Sequence, residues 1–97
     1  MDAAIIKAIQ DRRVLSFNYR GSPREVEPHA YGVNTAGHET LSCYQISGSS
    51  KTGTPRDWKT LLVSEMSSVT TTGLNFSRPR PDYIRDSKMF ARIYAQL

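Results

Sequence analysis

Arg24, Arg56 and Lys59 are the side chains of this sequence best suited to hold an anion. A guanidinium fork matches two phosphate oxygens, and a lysine ammonium adds a mobile point charge. Tyr31, Tyr44 and Trp58 supply rings in the same part of the chain. A ring beside a phosphate contact can stack on a nucleobase, an interaction worth roughly 1 to 3 kcal/mol per base. His29 adds a group able to touch a phosphate or move a proton. Each residue also has a plain structural reading. Arg24 and Arg56 can pair on the surface with Glu25, Glu27 or Asp57, Trp58 can pack in the core beside Leu61 and Leu62, and His29 can be a hydrogen-bonded structural imidazole. In a regular strand Arg24 and His29 point to opposite faces, so only a bulge near Pro28 would bring them to one site.

Catalytic constellations are harder to find. Cys43 with His29 is the one conceivable nucleophile and base, and the sequence supplies neither a third orienting group nor an oxyanion site for them. Cys43 is the single cysteine, so it forms no internal disulfide, and with two histidines it makes no structural zinc site. No Gly-x-Gly-x-x-Gly or Walker-type lysine motif occurs, and the acidic residues lack metal-ligand spacing. The expectation is a non-enzymatic protein without metal or cofactor.

The net charge of +4 is concentrated near the C-terminus, where residues 78–97 carry five basic and two acidic side chains. Arg78, Arg80, Arg85 and Lys88, with Arg92, form a possible phosphate-attracting strip. A solvated surface is the competing reading, since this charge is ordinary for a small domain.

These groups need a scaffold, and 97 residues make a single domain. Asp2 can cap a first helix over residues 3–12, with Ile5, Ile6 and Ile9 on one side. Leu15, Phe17 and Tyr19 alternate with Ser16 and Asn18, the period of a half-buried strand, and Gly21-Ser22-Pro23 supplies a turn. A second strand runs from Arg24 towards Val33 with Pro28 marking a bend. A third covers Thr40 to Ser47, with Leu41 and Cys43 inward and Tyr44 on the other face. A polar loop of weak order over Gly48 to Pro55 precedes a fourth strand, Arg56 to Val63. The fifth, Ser68 to Thr72, ends at Gly73. Residues 76–83 include Arg78-Pro79-Arg80-Pro81 and must run extended. Met89, Phe90, Ile93, Tyr94 and Leu97 recur at helical spacing and predict a C-terminal helix over 87–96. The fold class is therefore mainly β with flanking helices, a small five-stranded antiparallel barrel over about 14–72.

Several stretches together resemble the WYL domains. They are Ala8-Ile9-Gln10-Asp11-Arg12-Arg13 at the end of the helix, Phe17-Asn18-Tyr19, Arg24-Glu25-Val26-Glu27-Pro28, Leu41-Ser42-Cys43-Tyr44 and Arg56-Asp57-Trp58-Lys59. The resemblance runs from Ala8 to Val69 and implies an Sm/SH3-like small barrel that senses nucleotides or single-stranded nucleic acid. The chain departs from the pattern at Glu39-Thr40, where the family has tryptophan and tyrosine, and at Leu61-Leu62, where it has Asp-Arg. Family members usually stand behind a helix-turn-helix reader in bacterial regulators, and the expectation is a free-standing ligand domain of bacterial or phage type.

The combined expectation is a module that binds a small phosphorylated, nucleotide-like ligand through Arg24, His29, Tyr31, Tyr44, Arg56, Trp58 and Lys59, either sequestering it or regulating a partner. Single-stranded nucleic-acid binding is the alternative, and a protein-interaction or homo-oligomerisation role a third. No run approaches the roughly 20 apolar residues of a membrane span, so no membrane partner and a cytoplasmic location are expected.

Overall fold

The computed structural model describes residues 1–48 and 56–97. Helix α1 spans Ala3–Asp11 and starts as expected: the Asp2 carboxylate accepts from the backbone N–H groups of Ala4 and Ile5 at 2.9 and 3.2 Å. It stops at Arg12, which takes the left-handed conformation with φ 52°. Ile5, Ala8 and Ile9 are its buried side.

Strands β1 (Arg13–Tyr19) and β2 (Ser22–Asn34) form a hairpin whose two-residue turn, Arg20-Gly21, has positive φ at both positions. This is the turn geometry that matches strand twist, and Gly21 adopts it without steric penalty. Strand β3 is Glu39–Gly48 and β4 is Asp57–Leu62. A short 3-10 turn, Val63–Glu65, leads into β5, Met66–Asn75. Of the polar run between β3 and β4, residues 49–55 lie outside the described residues.

The antiparallel sheet runs β4-β3-β2-β1-β5, and β2 is its hub. The first half of β2 pairs with β1 and the second half, from Ala30, pairs with a sixth strand, while β3 lies along its other edge. The change of partner follows a break in register between Pro28 and Ala30. Proline lacks the N–H that a regular ladder needs, so a bulge forms where the strand must bend. Leu15, Phe17, Val26, Tyr31, Leu41, Cys43 and Leu61 line the inward side and meet the buried face of α1.

Three expectations are corrected. The C-terminal element is a strand, β6 (Phe90–Gln96), rather than a helix over 87–96. An isolated helix of that length is marginal in water, whereas β6 satisfies its backbone on the second half of β2 and lays Tyr94 edge-on against Tyr31 at 5.3 Å. Gly32 makes the approach possible, because a Cβ there would meet the Arg92 carbonyl oxygen at 2.0 Å. The second correction concerns closure. Among the described residues the sheet has six strands and is not a closed five-stranded barrel: β4 and β5 stand at opposite ends of the pairing order, joined by the 3-10 turn without a shared ladder. Strand β5 also runs through Gly73 to Asn75 instead of ending there. No described helix is long and apolar enough to cross a membrane.

Candidate functional site

Strand alternation sorts the candidate residues onto two faces. Antiparallel neighbours directly opposite one another share a face, and the registers Glu27 to Tyr44 and Tyr44 to Trp58 make one outward row across β2, β3 and β4. His29 joins this row as the extra residue of the bulge. Its ring lies edge-on to Trp58 at 4.7 Å and stacked with Phe76 at 5.6 Å.

The segment after β5 lies over this row as a strap. Phe76 is tied to the Arg12 carbonyl at 3.0 Å, and the Arg-Pro-Arg-Pro stretch then delivers Arg80. The expected extended run over 76–83 is corrected: the chain bends at Ser77-Arg78 and turns at Pro81-Asp82, where the Tyr83 N–H donates to the Arg80 carbonyl at 3.2 Å. Its guanidinium donates through Nε and a terminal nitrogen to the two Glu27 carboxylate oxygens, at 2.7 and 3.1 Å. The same guanidinium sits 4.3 Å from the Tyr44 ring centre. Its backbone N–H donates to His29 Nε2 at 3.0 Å. Nε2 must therefore be unprotonated, so the imidazole proton is on Nδ1 and is donated to the Glu27 carbonyl at 2.8 Å. Burial lowers the His29 pKa below its ordinary value, outweighing the opposite pull of the Glu27 carbonyl and carboxylate. The Glu27 hydrogen bonds raise that of Arg80. Tyr83 completes the strap, stacked on Trp58 with 6.3 Å between ring centres and donating from its hydroxyl towards the carbonyl oxygens of His29 and Leu97.

The inward face is built differently. Arg24 lies opposite Phe17 on β1, on the same side as Val26 and the core. Its guanidinium stands 4.9 Å from the Tyr19 ring centre, and Arg20 approaches that ring at 5.3 Å. One terminal nitrogen donates to the Gln45 amide oxygen at 3.3 Å. The Nε of Arg24 is shielded from solvent and has no hydrogen-bond partner among the described residues. No described carboxylate forms an ion pair with Arg24: Glu27 takes Arg80, and Glu25 accepts from the Ser47 hydroxyl at 2.7 Å. Lys59 is opposite Cys43 in the register and so projects to this inward side. Burial pushes the Cys43 thiol pKa up, while the Arg24 and Lys59 charges, both near enough to act on it, pull the other way. A partly buried guanidinium whose Nε–H has no partner among the described residues, a second cation and a ring form an anion-receptive cluster.

No protein-family model, curated protein or solved structure matches this chain. Of the residues singled out from sequence, Arg24 and Lys59 share the inward face, while His29, Tyr44 and Trp58 share the outward face under the strap. The bulge near Pro28 is present, but it leaves His29 on the side away from Arg24. Arg56 is exposed and donates to the Ile46 carbonyl at 3.3 Å. Tyr31 has no exposed surface; its hydroxyl donates to Glu39 and accepts from the Asp2 N–H at 2.7 Å, so it anchors the start of α1. Burial and then the Glu39 hydrogen bond raise its pKa. In the C-terminal strip Arg80 is engaged by Glu27, and Arg85 donates to the Leu97 carbonyl at 3.1 Å and approaches Asp86. Arg78 and Lys88 remain exposed. Cys43 and His29 lie on opposite sides of the sheet and form no nucleophile and base pair.

Tyr19, Gln45, Glu27 and Tyr83 were missed as site residues. Gln45 carried a signal, being a polar residue in phase with Leu41 and Cys43 on an apolar face. Glu27 and Tyr83 carried none, because their importance comes from a contact across more than fifty residues of chain.

Proposed function

We propose that this chain is a non-enzymatic binding module, WYL-like and of the Sm/SH3-like type, that holds a small phosphorylated, nucleotide-like ligand at the inward-facing Arg24. The single observation carrying this reading is the Arg24 guanidinium, which is partly buried against Tyr19 and keeps an orphan Nε–H among the described residues. Leaving a buried charged donor unsatisfied costs about 1 to 3 kcal/mol or more, and a phosphate oxygen would remove that penalty by accepting from it. Lys59 supplies a second positive charge on the same face, Gln45 fixes the fork, and the Arg20 guanidinium, 3.9 Å from a Glu65 carboxylate oxygen, lies near the Tyr19 ring. A free-standing module of this kind would act by sequestering its ligand or by presenting it to a partner.

The test is calorimetry with a panel of mono-, di- and cyclic nucleotides together with inorganic pyrophosphate, paired with mass spectrometry of whatever the heat-denatured protein releases. Binding at micromolar or tighter concentrations, weakened at least about tenfold (about 1.4 kcal/mol) in Arg24→Gln, supports the reading. A protein that releases nothing phosphorylated and binds no member of the panel refutes it.

A further inference from the structure

The outward face has a separate chemistry, independent of the proposed phosphate site. Its central charged group is a carboxylate: Glu27 is only 7% exposed, and both its oxygens point at one guanidinium. A phosphate brought to this face would meet a buried negative charge. A guanidinium meets instead a two-pronged carboxylate, the Tyr44 ring with its centre 4.3 Å from the guanidinium carbon, and a neutral imidazole nitrogen that accepts the N–H of the residue bearing it. Planar guanidinium cations are favoured by this combination of fork and ring over compact ammonium cations.

The receptor groups belong to the sheet, and their guest does not. Glu27 and His29 are fixed on β2, Tyr44 on β3 and Trp58 on β4. Arg80 comes from a stretch without regular secondary structure, flanked by the exposed Arg78, Pro81 and Asp82. An open cavity of about 340 Å³ borders Glu27 and is walled by Asn75, Phe76, Arg78, Arg80 and Pro81. A guest therefore has a route to the carboxylate alongside the strap.

The geometry points to a binding site for arginine side chains on the outward face, in which Arg80 is the resident ligand supplied by the chain itself. The guest class is an alkylguanidinium, the side chain of a peptide arginine, which takes the place of Arg80 when that residue is withdrawn.

The test uses Arg80→Ala, which removes the side chain beyond Cβ, and N-ethylguanidinium, which replaces the atoms removed. Trp58 is the only tryptophan and touches both His29 and Tyr83, so its emission reports the site. The expected result is a saturable return of the Arg80→Ala emission and thermal midpoint towards wild type, half-complete at about 1 to 10 mM. Ethylammonium is expected to act at least about fivefold more weakly because it lacks the fork. Wild type, whose site is filled, and the Arg80→Ala, Glu27→Gln double variant are expected not to respond. Equal responses to the two cations, or a response that survives Glu27→Gln, would overturn the assignment. Should Arg80→Ala be unfolded on its own, the same titration is read as refolding by circular dichroism: recovery specific to ethylguanidinium supports the site, and recovery absent or matched by ethylammonium overturns it.

Discussion

The Arg80 guanidinium grips the Glu27 carboxylate at 2.7 and 3.1 Å across 53 residues of sequence, and this contact fastens the strap to the sheet. Glu27's side chain is 9% exposed and that of Arg80 33%, so solvent screens only the arginine side. Removing one partner of a fully buried pair costs about 3 to 5 kcal/mol, and screening here reduces that to about 2 kcal/mol. Arg80→Ala should therefore lower the thermal midpoint by about 10 °C. Adding Glu27→Gln to it should cost less than the sum of the single changes, because the unpaired carboxylate is then gone. Urea unfolding of the four proteins in the cycle measures this directly.

Acid should loosen the same strap. His29 is held neutral, with its folded pKa below the unfolded value near 6.5 by burial first. Such a group contributes stability that is present above the unfolded pKa and is lost as the pH falls below it towards the depressed folded value, since the unfolded chain takes up the proton first. Protonation would also deprive the Arg80 N–H of its acceptor and place two cations together. Wild type should lose stability between pH 7 and 5 with a red shift of Trp58 emission. His29→Gln should be less stable at pH 7 but flat over that interval.

Arg24 should separate binding from stability. Its guanidinium gains from the Tyr19 ring and Gln45 but carries a desolvated Nε with no partner among the described residues, so Arg24→Met should change the stability of the free protein by no more than about 1 kcal/mol. The same substitution should abolish phosphate-ligand affinity. A large loss of stability on denaturant titration would make Arg24 a structural residue.

Gly32 should tolerate no side chain. A Cβ there would lie 2.0 Å from the Arg92 carbonyl oxygen and 2.9 Å from the Ile93 Cα, both backbone atoms. Gly32→Ala must push β6 away from β2, at about 1 to 3 kcal/mol. Hydrogen exchange should then show lost protection in residues 90–96, ahead of the remaining sheet.

Cys43 should be silent until the domain opens. Its thiol is fully buried, its pKa is raised by that burial, and it is directed at the Lys59 carbonyl at 3.7 Å. Only the thiolate reacts. Labelling by a disulfide reagent should follow the unfolding rate, and rapid labelling of native protein would contradict the packing described.

Local pattern in the sequence determined the capped first helix, the alternation of Leu15, Phe17 and Tyr19, the inward Leu41 and Cys43, and the interruption at Pro28, because each depends on residues within a few positions of one another. The order and inventory of the first five strands followed. Tertiary structure alone decided the remainder. The periodicity of Phe90, Ile93 and Tyr94 is compatible with a helix, and only the unpaired edge of β2, with Gly32 clearing room, turned it into a strand. The basic residues likewise look alike in one dimension, yet Arg24 ended against Tyr19 with an N–H unpartnered among the described residues while Arg80 found the Glu27 carboxylate. A cation's role depends on which groups the fold brings within about 4 Å, where Coulomb and hydrogen-bond energies become large, and for Arg80 those groups lie in distant strands.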